Sequence, residues 1–461
     1  MADFTCKSPI DGSTVFTGKL AKTDDISCVV DTAKKAQQKW AKTPLEQRKT
    51  LLTKALDYLR DHQQEIGAEI TRQMGRPIQY SPSEINGVVE RATAMLALAD
   101  NALADIKPAP RANFERYIKR RPLGVVAVLA PWNYPYLTSV NVIIPALAAG
   151  NSVILKHSNQ TPLVAQRWQA AFDHAGLPAG VFQHLYLDHA GTADLIARQE
   201  IDYVAFTGSV AGGQAVVKAV AEKTSIGFPA IGLELGGKDP AYVRADAEPE
   251  QAAIALADGA FFNSGQSCCG IERIYVAESL FEQFLERFIV EAKALKLGDP
   301  LNPETSLGPM VNAKAADYVR QQIANACADG ANAHLPIDEN WGSAYLGPQV
   351  LTNVSHDMDV MREESFGPVI GIMAVTDDEQ AVQLMNDSAY GLTASIWTQS
   401  QTSATEIGER LETGTVFMNR CDYLDPELAW VGVKNSGRGC TLSQLGYESL
   451  TRPQSFHFKT A

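Results

Sequence analysis

Apolar residues in the first hundred positions recur at three- and four-residue steps, the spacing of one face of an amphipathic helix. Residues 44–74 keep this spacing, and Gly75 and Pro77 follow as residues that end helices. A second helix is predicted from about residue 83 to residue 104. We therefore expect a largely helical N-terminal region.

The pattern then changes to short, nearly continuous apolar runs, most of them followed by helical periodicity. Residues 114–120 alternate in a strand-like way before Pro122, which predicts a protruding ribbon. The later runs suit strands that are covered on both faces, and therefore parallel sheets. The predicted strands are residues 125–129, 152–155, 181–187, 203–206 and 230–237, followed by 271–276, 369–375, 394–398 and 415–419. Helices are predicted between them, for example at residues 280–294 and 377–386, so the sequence indicates two α/β domains.

Composition narrows the class of protein. The chain has 461 residues, of which 45% are apolar and 20% charged, as in folded globular proteins. Its net charge of −13 has the wrong sign for a general binder of phosphate backbones, so we predict no nucleic-acid partner. Seven scattered cysteines without a CxxC pair form neither a disulfide framework nor a zinc signature. The eight histidines are also dispersed, and no metal site is predicted.

The N-terminus and the apolar windows bear on location. The first residues lack a basic segment followed by an apolar one, and no apolar stretch approaches the length that a bilayer requires. Unpaired cysteines fit a reducing compartment. We expect a cytoplasmic protein with no membrane partner.

Two ionisable residues stand out as candidates for chemistry. Cys268, next to Cys269, follows a loop containing Gly265, where backbone N–H groups could favour a thiolate, although free cysteines are more often small buried apolar residues. Glu234 ends an apolar run before two glycines and could act as a general base with a raised pKa. It could equally end a strand and pair with Lys238.

Two further segments follow predicted strands. Residues 206–213 carry Gly208 and Gly213 at a strand-to-helix turn, a context that can hold a pyrophosphate, but the spacing does not match GxGxxG. Residues 131–135, Pro-Trp-Asn-Tyr-Pro, place an amide at the carboxyl end of a strand, where ligands of α/β proteins bind. Each segment is also explained by an ordinary turn.

Taken together and in order, these segments resemble the aldehyde dehydrogenase superfamily over nearly the whole chain. Its motifs correspond to residues 131–135 (PWNYP), 206–209 (FTGS), 234–238 (ELGGK), 265–268 (GQSC) and 363–368 (EESFGP). The resemblance implies two Rossmann-like α/β domains with an oligomerisation β-ribbon. It also implies oxidation of an aldehyde to a carboxylic acid with NAD or NADP.

The resemblance assigns roles residue by residue. Cys268 would be the nucleophile, Asn133 would donate to the oxyanion, and Glu234 would activate the water that hydrolyses the thioester. The implied cofactor residues are Trp132, Lys156, Asn159, Gly208, Ser209, Gly213, Glu364 and Phe366. NAD and NADP stay open, because Asn159 stands where many NAD-preferring relatives carry a glutamate.

The substrate positions implied by the resemblance are more polar than an alkanal needs. They are Tyr134, Thr138, Asn141, Ser267, Cys269, Arg420 and Trp430. A small or medium polar aldehyde, semialdehydes included, is therefore expected. Arg420 could clamp a substrate carboxylate, but an arginine on a loop is more often solvated or paired, for example with Asp422.

The resemblance also divides the chain. Residues 1–104 and 121–235 would form the cofactor-binding domain and residues 236–436 the catalytic domain. Residues 105–120 and 443–461 would mediate assembly into a homodimer or homotetramer. The rival interpretations are a CoA-acylating dehydrogenase, a non-catalytic dinucleotide-binding relative and, with least support, a cysteine hydrolase, which would need a nearby histidine.

Overall fold

The N-terminal region combines a hairpin with four helices. The computed structural model describes residues 3–222, 227–337 and 339–460, so parts of the predicted domain ranges and residue 461 of the predicted tail lie outside the described residues. The first elements are β1 (Asp3–Lys7), β2 (Thr14–Lys19), α1 (Thr23–Trp40), α2 (Leu45–Asp61), α3 (Gln63–Met74) and α4 (Ser83–Ala102). The hairpin was not predicted. The single helix expected over residues 44–74 is wrong, because the backbone turns at His62 between α2 and α3.

The first sheet has six strands in the order β18–β8–β7–β4–β5–β6, parallel except at β18. Its strands are β4 (Val125–Ala130), β5 (Ser152–His157), β6 (Phe182–His184), β7 (Ile201–Thr207), β8 (Ala230–Glu234) and β18 (Gly437–Arg438). The helices of this part are α5 (Pro135–Ala149), α6 (Leu163–Ala175), α7 (His189–Ile196) and α8 (Val210–Ala221). Every residue of β4 is buried, as expected for a central strand covered on both faces.

The second sheet has seven strands in the order β11–β12–β13–β10–β9–β15–β16, parallel except at β11. Its strands are β9 (Asp239–Val243), β10 (Ile271–Ala277), β11 (Asn332–Ala333), β12 (Gln349–Thr352), β13 (Val369–Val375), β15 (Thr393–Trp397) and β16 (Thr415–Met418). The helices are α9 (Pro249–Phe261), α10 (Phe281–Ala294), α11 (Ala313–Ala328), α12 (Asp359–Arg362), α13 (Asp378–Asn386) and α14 (Gln401–Gly408). The two sheets confirm the α/β class.

A two-stranded ribbon and a short sheet complete the fold. In the ribbon, β3 (Phe114–Pro122) pairs antiparallel with β19 (Thr451–Lys459), and the rings of Tyr117 and Phe456 stack with centroids 4.7 Å apart. The short sheet pairs β14 (Tyr390–Gly391) with β17 (Val433–Lys434). The chain leaves the first sheet after β8, builds the second and returns at β18, where Gly437 pairs with Glu234. Among the described residues, no helix has the length and apolar character that crossing a membrane requires.

Candidate active site

Cys268 lies in a tight loop that follows α9. The loop begins with a left-handed turn at Phe262–Gly265, in which Asn263, Ser264 and Gly265 have φ angles of 55°, 57° and 69°. Gly265 is required there, because a Cβ would lie 2.2 Å from the carbonyl oxygen of Gly367. The Cys268 side chain is half-buried at the end of this loop. The backbone therefore holds the thiol at the edge of a cavity rather than inside the core.

Buried amides fix the same loop. Gln266 accepts from the Val311 N–H at 2.8 Å through Oε1 and donates to the Asn263 carbonyl at 3.0 Å through Nε2. The Asn133 side chain donates to the Gln266 carbonyl at 3.2 Å. Asn133 and the Cys268 loop are thus tied together, although they are far apart in sequence.

A buried ion pair holds the backbone around Asn133 in place through hydrogen bonds. The Arg76 guanidinium pairs with Glu84 and donates to the Asn133 carbonyl. Glu84 in turn accepts from the N–H groups of Tyr136 at 2.8 Å and Leu137 at 3.1 Å, in the first turn of α5, where a negative charge is favoured. Sequence reasoning missed Arg76 and Glu84, because nothing in the local pattern marks a pair whose partners depend on the tertiary fold.

Glu234 ends β8 and is held by two threonines. Its Oε2 accepts from Thr207 Oγ1 at 3.0 Å and its Oε1 from Thr441 Oγ1 at 2.5 Å. Burial raises the pKa of the Glu234 carboxyl, and these hydrogen bonds offset part of that effect. Lys238 is not its partner, since its ammonium group pairs with Glu272 at 2.6 Å. The structure thus removes the ion-pair alternative for Glu234, and the contribution of Thr441 was missed.

A first cavity of about 260 Å³ opens between the two sheets beside these groups. Five of the predicted cofactor residues line it, namely Trp132, Gly208, Ser209, Glu364 and Phe366. The Ser209 hydroxyl caps α8 by accepting from the Gly212 N–H at 3.2 Å, so a helix N-terminus faces this region. Amide donors and a helix N-terminus are what a pyrophosphate requires.

The other three predicted cofactor residues do not line this cavity. Gly213 is buried inside α8, where a Cβ would lie 2.8 Å from the Leu235 side chain, so its position is explained by packing. Lys156 lies in β5, and burial lowers its pKa. Asn159 donates to the Leu187 carbonyl at 3.2 Å, while its buried Oδ1 has no hydrogen-bond partner among the described residues. That acceptor suits a hydroxyl of a bound ribose, so the residues fit a dinucleotide.

Glu364 reaches the cavity from the segment between α12 and β13 and packs on a pair of glycines. Its Oε1 accepts from the Gly237 N–H at 3.1 Å, and a Cβ on Gly236 would lie 2.2 Å from the same oxygen. Burial and the charge of Glu272 raise the pKa of Glu364 to about 8. Gly236 is therefore the residue that allows the carboxyl to approach the cofactor cavity.

A second cavity of about 160 Å³ lies on the other side of Cys268. Six predicted substrate residues line it, namely Tyr134, Thr138, Asn141, Ser267, Cys269 and Trp430. Cys268, Glu234 and Thr207 line both cavities. None of the lining residues of either cavity is a histidine, which leaves the cysteine hydrolase interpretation without a base.

Arg420, expected at the substrate pocket, is not among the residues that line the second cavity. Its guanidinium instead lies over the Tyr423 ring, 3.6 Å from the centroid. Asp422 does line the cavity, and it accepts from Ser267 Oγ at 3.2 Å and Cys269 Sγ at 3.0 Å. The arginine that lines the cavity is Arg91, from α4, which sequence reasoning missed.

Comparison with known proteins agrees with this geometry. The model of the aldehyde dehydrogenase family matches residues 2–456. The chain is 35% identical over 451 residues to the succinate semialdehyde dehydrogenase (NAD(P)+) Sad of Escherichia coli (strain K12), covering 97% of this chain and 96% of the relative. It is 33% identical to a succinate-semialdehyde dehydrogenase (NADP(+)) of Deinococcus radiodurans, covering 97% and 93%. The solved succinic semialdehyde dehydrogenase of Streptococcus pyogenes, in complex with NADP+, matches with a TM-score of 0.94, 28% identity and coverage of 99% and 100%.

The chain therefore belongs to the aldehyde dehydrogenase family, as the motifs predicted. It is an oxidoreductase that oxidises aldehydes with NAD or NADP, and the fold expected from the resemblance is confirmed.

Proposed function

We propose that the enzyme converts its aldehyde into a carboxylic acid through a covalent intermediate on Cys268. The observation that carries this proposal is that Cys268 and Glu234 line both cavities. A substrate in one cavity and a dinucleotide in the other would meet at the same thiol. Proximity of this kind is a large part of what an active site contributes to rate.

The steps follow from the residues at that junction. The Cys268 thiolate adds to the aldehyde carbon, and the Asn133 amide with the Cys268 backbone N–H stabilises the resulting alkoxide. A bound nicotinamide would supply the hydride acceptor, and loss of hydride from the former aldehyde carbon would leave a thioester on Cys268. Glu234 takes a proton from a water molecule, which attacks the thioester, and the acid leaves as Cys268 becomes a thiolate again. The raised pKa of Glu234 brings that base closer to neutral pH.

The chain's own residues would hold the dinucleotide. We assign Gly208 and Ser209 to the pyrophosphate, Glu364 and Phe366 to the nicotinamide ribose, and Trp132 to the wall of the same cleft. Lys156 and Asn159 are assigned to the adenosine ribose, and the unpartnered Asn159 Oδ1 supports this. Both NAD and NADP are proposed as cofactors, because an amide at position 159 does not repel a 2′-phosphate.

For the substrate we propose a small or medium polar aldehyde, semialdehydes included. A cavity of about 150 Å³ holds benzene, which has six non-hydrogen atoms, so a pocket of about 160 Å³ suits a compound of similar size. Thr138 and Asn141 add polar atoms to its wall. Two relatives at 33% and 35% identity are named as succinate semialdehyde dehydrogenases, which agrees with this range.

We further propose a homodimer or homotetramer in a reducing compartment such as the cytoplasm. The ribbon of β3 and β19 has a row of contacting aromatic rings that a second subunit could cover. All seven cysteines are unpaired, which supports the compartment. Sedimentation of the intact chain, compared with a Tyr117→Lys variant, tests the assembly. A smaller species for the variant is expected, and a monomeric wild-type enzyme would contradict the proposal.

The function is tested by initial rates of NADH and NADPH formation over aliphatic, aromatic and ω-carboxylated aldehydes, with Cys268→Ala in parallel. Turnover that disappears in the variant supports the proposal, and an active Cys268→Ala enzyme contradicts it. Product analysis with and without coenzyme A separates hydrolysis from acylation. We expect the free acid in both cases, because Glu234 is available to activate water.

A further inference from the structure

Arg91 brings a positive charge to the wall of the substrate cavity, and the protein leaves much of its guanidinium unused. Nη1 donates to the Leu137 carbonyl at 2.9 Å and to Asn141 Oδ1 at 3.3 Å, both in α5. The donors on Nε and Nη2 have no hydrogen-bond partner among the described residues, and Arg91 lines the cavity. Within the described ranges, Arg91 also has no carboxylate at ion-pair distance. A guanidinium this deep in a protein is costly unless an anion accompanies it.

The two acidic groups of the same cavity, Glu234 and Asp422, each have two hydrogen-bond donors from the protein. Glu234 accepts hydrogen bonds from Thr207 and Thr441, and Asp422 accepts from Ser267 and Cys269. Burial raises the pKa of both carboxyls, and the positive charge of Arg91 offsets part of that effect without a direct contact. An arginine does not lose its proton on burial, because it remains charged under all ordinary conditions. Both carboxyls thus have direct hydrogen-bond donors, whereas the described acceptors of Arg91 are a carbonyl and an amide oxygen.

We propose that Arg91 binds the carboxylate of the substrate, so that the enzyme prefers short aldehydes carrying a carboxylate at the far end of the chain. This inference rests on the proposed function, since it assumes that the aldehyde group lies at Cys268. The open Nε and Nη2 groups form a planar fork that can donate two parallel hydrogen bonds to the oxygens of one carboxylate.

The rest of the pocket fits the same kind of molecule. Leu137, Leu424 and Trp430 supply apolar surface between the two polar ends. A pocket of about 160 Å³ accommodates roughly six to seven non-hydrogen atoms by comparison with a benzene-sized cavity. A four-carbon aldehyde acid, 4-oxobutanoate, has seven. The carboxylate thus provides orientation, and the short apolar segment provides contact area.

The test compares two aldehydes of equal size and different charge. 4-Oxobutanoate and the neutral 4-methylpentanal both contain seven non-hydrogen atoms, and 4-aminobutanal supplies a positive charge instead. The quantity measured is the ratio of kcat/KM for 4-oxobutanoate to kcat/KM for 4-methylpentanal. The wild-type ratio should exceed about 10, and Arg91→Met should lower it by about 10- to 100-fold, the range expected for hydrogen bonds to a charged group. The change should be mainly in KM, because the carboxylate is bound equally in the ground and transition states.

Arg420→Met is the matched control, because it removes an arginine that the structure places outside the cavity, and it should leave the ratio unchanged. Arg91→Lys should retain part of the preference, since the charge remains without the fork. The inference is contradicted if Arg91→Met leaves the ratio unchanged, if Arg420→Met lowers it equally, or if the wild type prefers 4-aminobutanal, which would indicate recognition by Asp422.

The wild-type ratio tests the inference even if Arg91→Met fails to fold, because it needs no variant. Failure of the proposed function gives a different result. An enzyme that oxidises no aldehyde, or whose Cys268→Ala variant stays active, contradicts the function itself. An enzyme that depends on Cys268 but shows no preference for the carboxylate contradicts only the role of Arg91.

Discussion

Removing the hydroxyl of Thr441 should shift the pH dependence of the reaction in a predictable direction. Thr441 Oγ1 donates to Glu234 Oε1, and this bond favours the charged carboxylate. Thr441→Val keeps the shape of the side chain and deletes the donor. The backbone bonds between Thr441 and Trp430, at 2.8 and 3.0 Å, do not involve the side chain, so the local fold should persist.

The magnitude follows from the kind of bond that is lost. A hydrogen bond to a charged group contributes about 1.5 to 3 kcal/mol. Because a tenfold change in an equilibrium corresponds to about 1.4 kcal/mol, the acid limb of the kcat profile should move to higher pH by about one to two pH units. At pH values on the acid side of that limb, kcat of Thr441→Val should be about 10- to 100-fold lower than that of the wild type. Above it, the two enzymes should converge, because Glu234 is then ionised in both.

The assay is kcat against pH at saturating aldehyde and cofactor, with Thr441→Ser as the matched control. Serine retains the hydroxyl, so its profile should stay close to that of the wild type. An acid limb that does not move, or that moves to lower pH, would refute the reasoning. A uniform loss of kcat at every pH would also refute it, since that pattern indicates a displaced carboxyl rather than a changed pKa.

Three further predictions follow from the same structure. Glu234→Gln should lower steady-state kcat by about 10²- to 10⁴-fold while a rapid burst of about one reduced cofactor per site persists, and a missing burst would place Glu234 before hydride transfer. Gly236→Ala should weaken dinucleotide binding measured calorimetrically, because the added Cβ displaces Glu364. Gly347→Ala, whose Cβ would have its nearest contact at 4.0 Å, should not weaken binding, and equal affinities of the two variants would contradict the prediction. Arg76→Met should reduce the free energy of unfolding in urea by about 3 to 5 kcal/mol, because it leaves Glu84 buried without its partner, and an unchanged midpoint would show that the pair is dispensable.

The strands whose residues form unbroken apolar runs could be predicted from sequence, and others could not. β4 and β10 are buried along their whole length, so their runs are distinct. β9, in the interior of the second sheet, was missed because it begins Asp-Pro and spans only five residues. The break at His62 has no proline or glycine to signal it, so the two helices on either side were predicted as one.

The active-site residues divide in a similar way. Cys268, Glu234 and Asn133 lie in contiguous motifs, and their meeting at one cavity agrees with the sequence pattern. Thr441 contacts Glu234 across 207 positions, and Arg91 reaches α5 from a separate helix, so neither contact leaves a local signal. Arg420 stacks on Tyr423, and a loop sequence does not specify such a side-chain direction.

The most direct measurement is the site of the covalent intermediate. Glu234→Gln enzyme is incubated with an aldehyde substrate and NAD or NADP, quenched in acid, digested and examined by mass spectrometry. We predict an acyl group on Cys268, absent when Cys268→Ala is added to the variant and still present on Cys268 when Cys269→Ala is added. An acyl group on Cys269, or none on either cysteine although reduced cofactor is formed, would contradict the assignment of Cys268 as the nucleophile.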